Sequence, residues 1–131
     1  MTEAAVKVVD RYFDALNAAD VDAAVACVAD DFVNEHTSAL GHSLTGRDAY
    51  AAKLPVFLAQ FQGQHYELEA RIEQDGRDAV PYTMSFRWVA EDGAVFPVSI
   101  RGMFRFVVQN DRIARRTDYW DSAEFARQTH R

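Results

Sequence analysis

A single cysteine, Cys27, is the only thiol in this chain, so no internal disulfide can form and thiol redox chemistry has no resolving partner. Cys27 lies in an Ala/Val-rich helical run, where a small buried thiol is the ordinary arrangement. Long uninterrupted apolar runs are missing, and Met1-Thr2-Glu3 lacks the basic residues of a signal peptide. The expectation is a soluble, cytoplasmic protein that does not engage a membrane. Positive charge is also scarce: 20 acidic residues stand against 14 basic ones, for a formal net charge of -6. Nucleic acid and anionic lipid surfaces, which need basic patches, are poor partners for such a chain. The four histidines, His36, His42, His65 and His130, show no ligand spacing such as His-x-x-x-His, so no metal or other cofactor is expected. Internal repeats, low-complexity runs and linkers are lacking as well.

What is present suits one compact domain over residues 1–131, with 49% hydrophobic residues to build its core. From Thr2 to about Ala18, Ala5, Val6, Val9, Tyr12, Phe13 and Leu16 recur at steps of three and four, the stripe of an amphipathic helix that Thr2 can cap. Asp20 can cap a second, shorter helix through Val21, Ala24, Val25 and Val28, closed by Asp30-Asp31. Phe32 to His36 then reads as a short strand with Phe32, Asn34 and His36 on one side. Thr37 to Gly46 reads as a loop. A third helix carries Tyr50, Leu54, Phe57, Leu58 and Phe61, and Pro55 predicts a kink or restart near Leu54.

After Gln62-Gly63-Gln64 the period changes from 3.6 to 2, and strands follow. His65 to Gln74 places Tyr66, Leu68, Ala70 and Ile72 on the core side. Ala79 to Ala90 sets Val80, Tyr82, Met84, Phe86 and Trp88 against Ala79, Pro81, Thr83, Ser85, Arg87 and Val89. Both faces of this strand carry bulky or apolar groups, so a homodimer through the outer sheet face is expected. Ala94 to Gln109 has Val98, Ile100, Gly102, Phe104 and Phe106 on one face. Turns at Asp75-Gly76, Glu91-Asp92-Gly93 and Asn110-Asp111 join these strands into an antiparallel meander. Helices first and a sheet after make an α+β domain, and a strongly bent sheet packed on helices leaves a hollow for a small ligand.

The stretch Arg112 to Asp121 is the strand around which the rest closes. Its alternation groups Arg112, Ala114, Arg116, Asp118 and Trp120 on one face. Asp118 then stands between a guanidinium that favours its ionised form and an indole whose desolvation favours the protonated one. The same pattern also fits a solvated Arg/Asp pair on an open strand. Asp121-Ser122-Ala123-Glu124 has the form of a capping box before a final helix, which accounts for Asp121.

Several segments together resemble the NTF2-like superfamily, in its SnoaL-like polyketide-cyclase and ketosteroid-isomerase branch. They are Val8 to Asn17, Ala29-Asp30-Asp31, Thr45-Gly46-Arg47-Asp48-Ala49, Phe104-Arg105-Phe106 and Asp118-Tyr119-Trp120-Asp121. The resemblance implies a cystatin-like cone, N-terminal helices packed on a strongly curved, mostly antiparallel sheet enclosing a pocket. It matches Tyr12 to the isomerase tyrosine that donates to the dienolate oxygen, and Trp120 to a pocket aromatic. His36 occupies the place of the isomerase base, and Gly102 that of a protonated aspartate in the oxyanion hole, so the chain departs from the isomerases at both points. Similarity to limonene-epoxide hydrolases puts Asp118 on a water-activating aspartate and His36 near a water-holding asparagine. Their Arg-x-Asp pair is Thr83-Met84-Ser85 here. The isomerase comparison sends Tyr82, Met84 and Phe86 into the pocket, and the hydrolase comparison sends Thr83 and Ser85. SnoaL-like cyclases, which use a late-strand aspartate in an aldol ring closure, match Asp118 best.

Two functions follow from this resemblance, with epoxide hydrolysis a further alternative. One is a cofactor-independent enzyme acting on a small, apolar, carbonyl-containing substrate, with Asp118, His36 and Tyr12 catalytic and Asn34, Arg116 and Trp120 binding the substrate. The other is a noncatalytic ligand-binding or dimeric scaffold protein.

Overall fold

The computed structural model describes residues 2–130 of the chain, and side chains from Lys7 onward. The expected cap at Thr2 and the start of the helical stripe at Ala5 and Val6 lie outside the described side chains. Helix α1 (Thr2–Asn17) turns Val8, Val9, Tyr12, Phe13, Ala15 and Leu16 inward, the face that the 3.6-residue period requires. Asp20 caps α2 (Val21–Ala26) by accepting from the Ala23 N–H at 3.1 Å.

Here the first boundary moves. Helix α2 stops at Ala26, and strand β1 (Val28–His36) begins four residues before Phe32. Asp30 and Asp31 belong to the strand, because buried Val28 already pairs with Ile113 of the last strand. A two-residue strand, β2 (Leu44–Thr45), pairs with β1 inside the segment expected to be loop. Helix α3 (Arg47–Gln60) runs through Pro55 as one element. It buries Tyr50 and Leu54, with Phe57 and Leu58 packed at the margin of the core.

Strand β3 (Phe61–Leu68) starts before the expected break. Gly63, at φ +64°, sits where the register against the next long strand shifts, so Gln62-Gly63-Gln64 is a bulge within a strand. The chain leaves the sheet after Leu68 and returns as β4 (Ile72–Gln74), which leaves Ile72 64% exposed instead of in the core. Strands β5 (Arg77–Val89), β6 (Val95–Gln109) and β7 (Arg112–Trp120) form the expected meander. Its turn at Asn110-Asp111 has both residues at positive φ, the backbone that a tight two-residue hairpin turn needs. Helix α4 (Ser122–Thr129) follows, with Asp121 accepting from the Ala123 and Glu124 N–H groups as its cap.

The strands lie in the order β2-β1-β7-β6-β5-β3, with β4 also on β5. All neighbours are antiparallel except β1 and β7, which run parallel. The result is an α+β fold in which the helices pack against a strongly curved mixed sheet. Among the described residues no helix is long and apolar enough to cross a membrane.

The core is aromatic. Phe104 of β6 meets Phe13, Tyr66, Tyr82 and Phe106 at ring-centroid distances of 4.6–5.6 Å. At the other end Phe125 of α4 lies against Phe61, Phe86, Trp88 and Trp120. Gln128 fastens that helix. Its amide accepts from the Ser99 N–H and donates to the Ser99 carbonyl, both at 2.8 Å, as a neighbouring strand would.

Candidate active site

Parallel pairing of β1 with β7 brings the candidates together. Asn34 is in register with Arg116, and His36 with Asp118. Side chains in register on a strand pair stand side by side on the same face. Phe32, Asn34 and His36 therefore share the inner face with Arg116, Asp118 and Trp120 across some 80 residues of sequence. One feature of the period-two reading fails. Register shifts between Val107 and Val108 of β6, and between Val28 and Val33 of β1, flank the stretch from Ile113 to Arg115. Ile113 is consequently buried and Arg112 exposed, although Arg116 and Asp118 point inward.

Arg116 is 6% exposed and makes no ion pair with Asp118. Instead its Nε donates to Asn34 Oδ1 at 3.1 Å and one terminal nitrogen donates to the Tyr12 hydroxyl at 2.8 Å. The guanidinium lies 4.7 Å from the centre of the Phe104 ring, a favourable cation–π placement. Burial opposes its charge, but Tyr12, Tyr50 and Asp118 around it more than compensate, so its pKa lies above that of an ordinary arginine. Tyr12 also shares a 2.5 Å hydrogen bond with Tyr50. Burial raises both phenols above their usual pKa, so they remain neutral donors.

Asp118 is buried and its pKa is raised to about 6, chiefly by desolvation, with the Arg116 charge and the Tyr82 hydrogen bond working in the other direction. Its two oxygens differ. Oδ1 accepts from the Tyr82 hydroxyl at 2.6 Å, and Oδ2 lies 3.6 Å from His36 Nδ1. A carboxylate that close would ordinarily favour a charged imidazole. Here burial, then Arg116 and His42, push the His36 pKa down to about 3. The Trp120 indole N–H donates to His36 Nδ1 at 3.3 Å, which requires that nitrogen to be unprotonated. His36 is thus a neutral ring with its proton on Nε2.

The loop after β1 locks this arrangement. Thr37 donates to the Asp118 carbonyl through both N–H and hydroxyl, and the Ser38 hydroxyl donates to the Trp120 carbonyl. A Cβ on Gly41 would collide with the His36 Cβ, so the loop lies directly on the imidazole. His36 and Trp120 remain partly exposed and mark the solvent edge of the cluster.

The structure brings Tyr12, Asn34, His36, Arg116, Asp118 and Trp120, all candidates from the sequence, into one contact network and adds two tyrosines to it. One is Tyr50, which stands in the apolar stripe of the third helix and bonds the Tyr12 hydroxyl. The other is Tyr82: along β5, Tyr82, Met84 and Phe86 face the core, whereas Thr83 faces outward to Glu69 and Ser85 is exposed. The register held the signal. Tyr82 and Gly102 lie ten residues either side of Asp92 in the β5–β6 turn and pair directly.

Two clefts lie elsewhere. One of about 560 Å³ is bordered by Asp30, Arg47 and Arg112, and one of about 440 Å³ by Thr83, Arg101 and Glu124. Neither contains a buried, oriented acid or base, so chemistry favours the Asp118 cluster over both. Among the described residues no group of three or more His, Cys, Asp and Glu side chains is placed to hold a metal ion.

Comparison with known proteins agrees with the fold. The model of the SnoaL-like domain family matches residues 9–116. Among curated proteins no sequence gives a significant match. A candidate SnoaL-like polyketide cyclase from Shewanella denitrificans OS-217 superposes with a TM-score of 0.86 at 15% identity, covering 96% of each chain. A candidate polyketide cyclase from Silicibacter sp. TM1040 gives 0.80 at 24% identity over 97% of this chain and 96% of that one. An LEH-like epoxide hydrolase from M. tuberculosis gives 0.81 at 20% identity, over 98% and 92%.

Proposed function

This chain belongs to the SnoaL-like domain family, and on that premise we propose that it is a cofactor-independent enzyme performing acid/base chemistry on a small, mostly apolar, carbonyl-containing molecule. The observation that carries this reading is Asp118. It is a buried carboxyl with a pKa of about 6, one oxygen held by Tyr82 and the other directed toward the partly exposed side of the site. A base poised near neutrality combines adequate ionisation with adequate proton affinity.

The steps balance without an added reagent. The Asp118 carboxylate takes a proton from the carbon beside the carbonyl, and the C–H electron pair moves into an enolate. In an aldol ring closure the enolate carbon attacks a second carbonyl of the same molecule, forming a C–C bond and an alkoxide. The alkoxide then recovers the proton from the Asp118 carboxyl. In an isomerisation the proton returns to a different carbon instead. His36 offers Nε2–H to the developing oxyanion. Arg116, Tyr12 and Asn34 form a donor-rich, positively charged floor beneath it, and Trp120 packs on the apolar body of the substrate.

The noncatalytic reading has its own support, because Tyr12, Tyr82 and Phe104 are fully buried in the core and two clefts open elsewhere. A panel of enones and small polyketide-like diketones separates the two. Consumption of a panel member supports catalysis, whereas binding without consumption supports a ligand carrier. We also propose that the protein is a homodimer through the outer sheet face. Pro81, Met103 and Tyr119 form a row there in direct register, with Tyr119 37% exposed.

A further inference from the structure

Gly102 is unusual among the glycines of the sheet in what surrounds it. Its backbone is not in the left-handed region, so the need for glycine there is one of space. A Cβ at this position would stand 2.5 Å from the Tyr82 hydroxyl, 2.6 Å from its ring and 2.8 Å from the Tyr119 carbonyl oxygen. Tyr82 lies on β5, and Asp118 is two strands away on β7. The phenol spans that distance by lying flat across β6 at the one residue without a side chain. Its ring rests 4.6 Å from Phe104 and edge-on to Tyr66 at 5.3 Å, which fixes its direction.

We propose that Tyr82, admitted across the sheet by Gly102, is a positioning residue for Asp118: it holds Oδ1 and leaves Oδ2 as the oxygen that exchanges protons with substrate. The inference rests on the acid/base reading of Asp118 and adds to it which oxygen reacts and what orients it. A freely rotating carboxyl would present either oxygen. One gripped at 2.6 Å by a phenol fixed between Phe104 and Tyr66 presents one. Tyr82 also favours the ionised carboxyl, since a donor to a carboxylate stabilises charge that burial opposes. Desolvation and the Asp118 charge raise the pKa of the phenol itself, so it stays a donor at all working pH values.

The test is a titration of the Asp118 side-chain carboxyl by NMR on aspartate-labelled protein, in wild type and Tyr82→Phe. Phenylalanine keeps the ring contacts and removes only the hydroxyl, so the variant is expected to fold. The wild-type midpoint is expected near 6, and Tyr82→Phe should move it upward by roughly one to two pH units, the effect of losing one hydrogen bond to a charged group. A hydroxyl that does not bear on the carboxyl would lower the melting temperature and leave the midpoint in place. A raised wild-type midpoint that Tyr82→Phe does not move overturns the role of Tyr82 alone. A wild-type midpoint in the ordinary carboxylate range overturns the acid/base reading, and this inference with it.

Discussion

Replacing Asp118 by asparagine keeps the side-chain shape and removes its charge, and the structure gives the sign of the effect on stability. The folded protein holds the Asp118 proton with a pKa of about 6, against 3.8 for an unperturbed aspartate. Between those values the native state binds more protons than the unfolded chain, so stability falls as pH rises from about 4 through 6, and the loss is complete above that. Each pH unit of difference is worth about 1.4 kcal/mol, which makes the carboxylate a burden of roughly 2–3 kcal/mol at pH 8. Asparagine carries no such burden, and its carbonyl oxygen can still accept from Tyr82. Arg116 does not lose a hydrogen-bond partner, because it is held by Asn34 and Tyr12. Asp118→Asn should therefore be more stable than wild type by roughly 2–3 kcal/mol at pH 8, with the advantage vanishing near pH 4. For a chain of this length that is roughly 7–11 °C in melting temperature. Urea denaturation of both proteins at the two pH values measures it. A variant less stable than wild type at pH 8 would refute the reasoning, because it would mean that the charge is part of a structural pair with Arg116.

Three further outcomes are expected. Gln128→Ala removes both hydrogen bonds to the Ser99 backbone; it should cost about 1–2 kcal/mol and lower hydrogen-exchange protection selectively in Ser122–Thr129. Arg116→Met removes the charge that holds the Asp118 pKa down and leaves Asn34 Oδ1 without its donor. The Asp118 midpoint should rise above 6, and stability should fall by about 1–3 kcal/mol in denaturant titrations. Light scattering at micromolar concentration should give a dimer mass, and a monomer mass would count against the outer-face interface.

The parts of the site legible in the sequence are those set by short-range periodicity. Arg116, Asp118 and Trp120 share a face because a strand alternates, and Phe32, Asn34 and His36 do so for the same reason. Residues displaced by irregularities were illegible in that pattern. Ile113 is buried because of register shifts between residues that a periodicity count treats as regular. Ile72 is exposed because the chain leaves the sheet at Glu69 to Arg71. Resemblance brought Asp118 next to His36, but it also presented Gly102 only as a donor that is missing. The space left by that absent side chain is what lets Tyr82 reach Asp118. Such a substitution across strands appears only when the hairpin register is laid out. Tyr50 was hidden for a related reason: its hydroxyl partner Tyr12 lies 38 residues away on another helix.

The claim that Asp118 moves a proton at carbon is tested most directly by solvent deuterium wash-in. A small diketone or enone from the panel is incubated with protein in D2O, and loss of the proton beside the carbonyl is followed by NMR, for wild type and Asp118→Asn at equal concentration. Wild type should exchange that proton well above the buffer rate, and Asp118→Asn should do so about 10²–10⁴-fold more slowly. Equal exchange by the two proteins, or none above buffer for wild type with any bound panel member, would contradict the account.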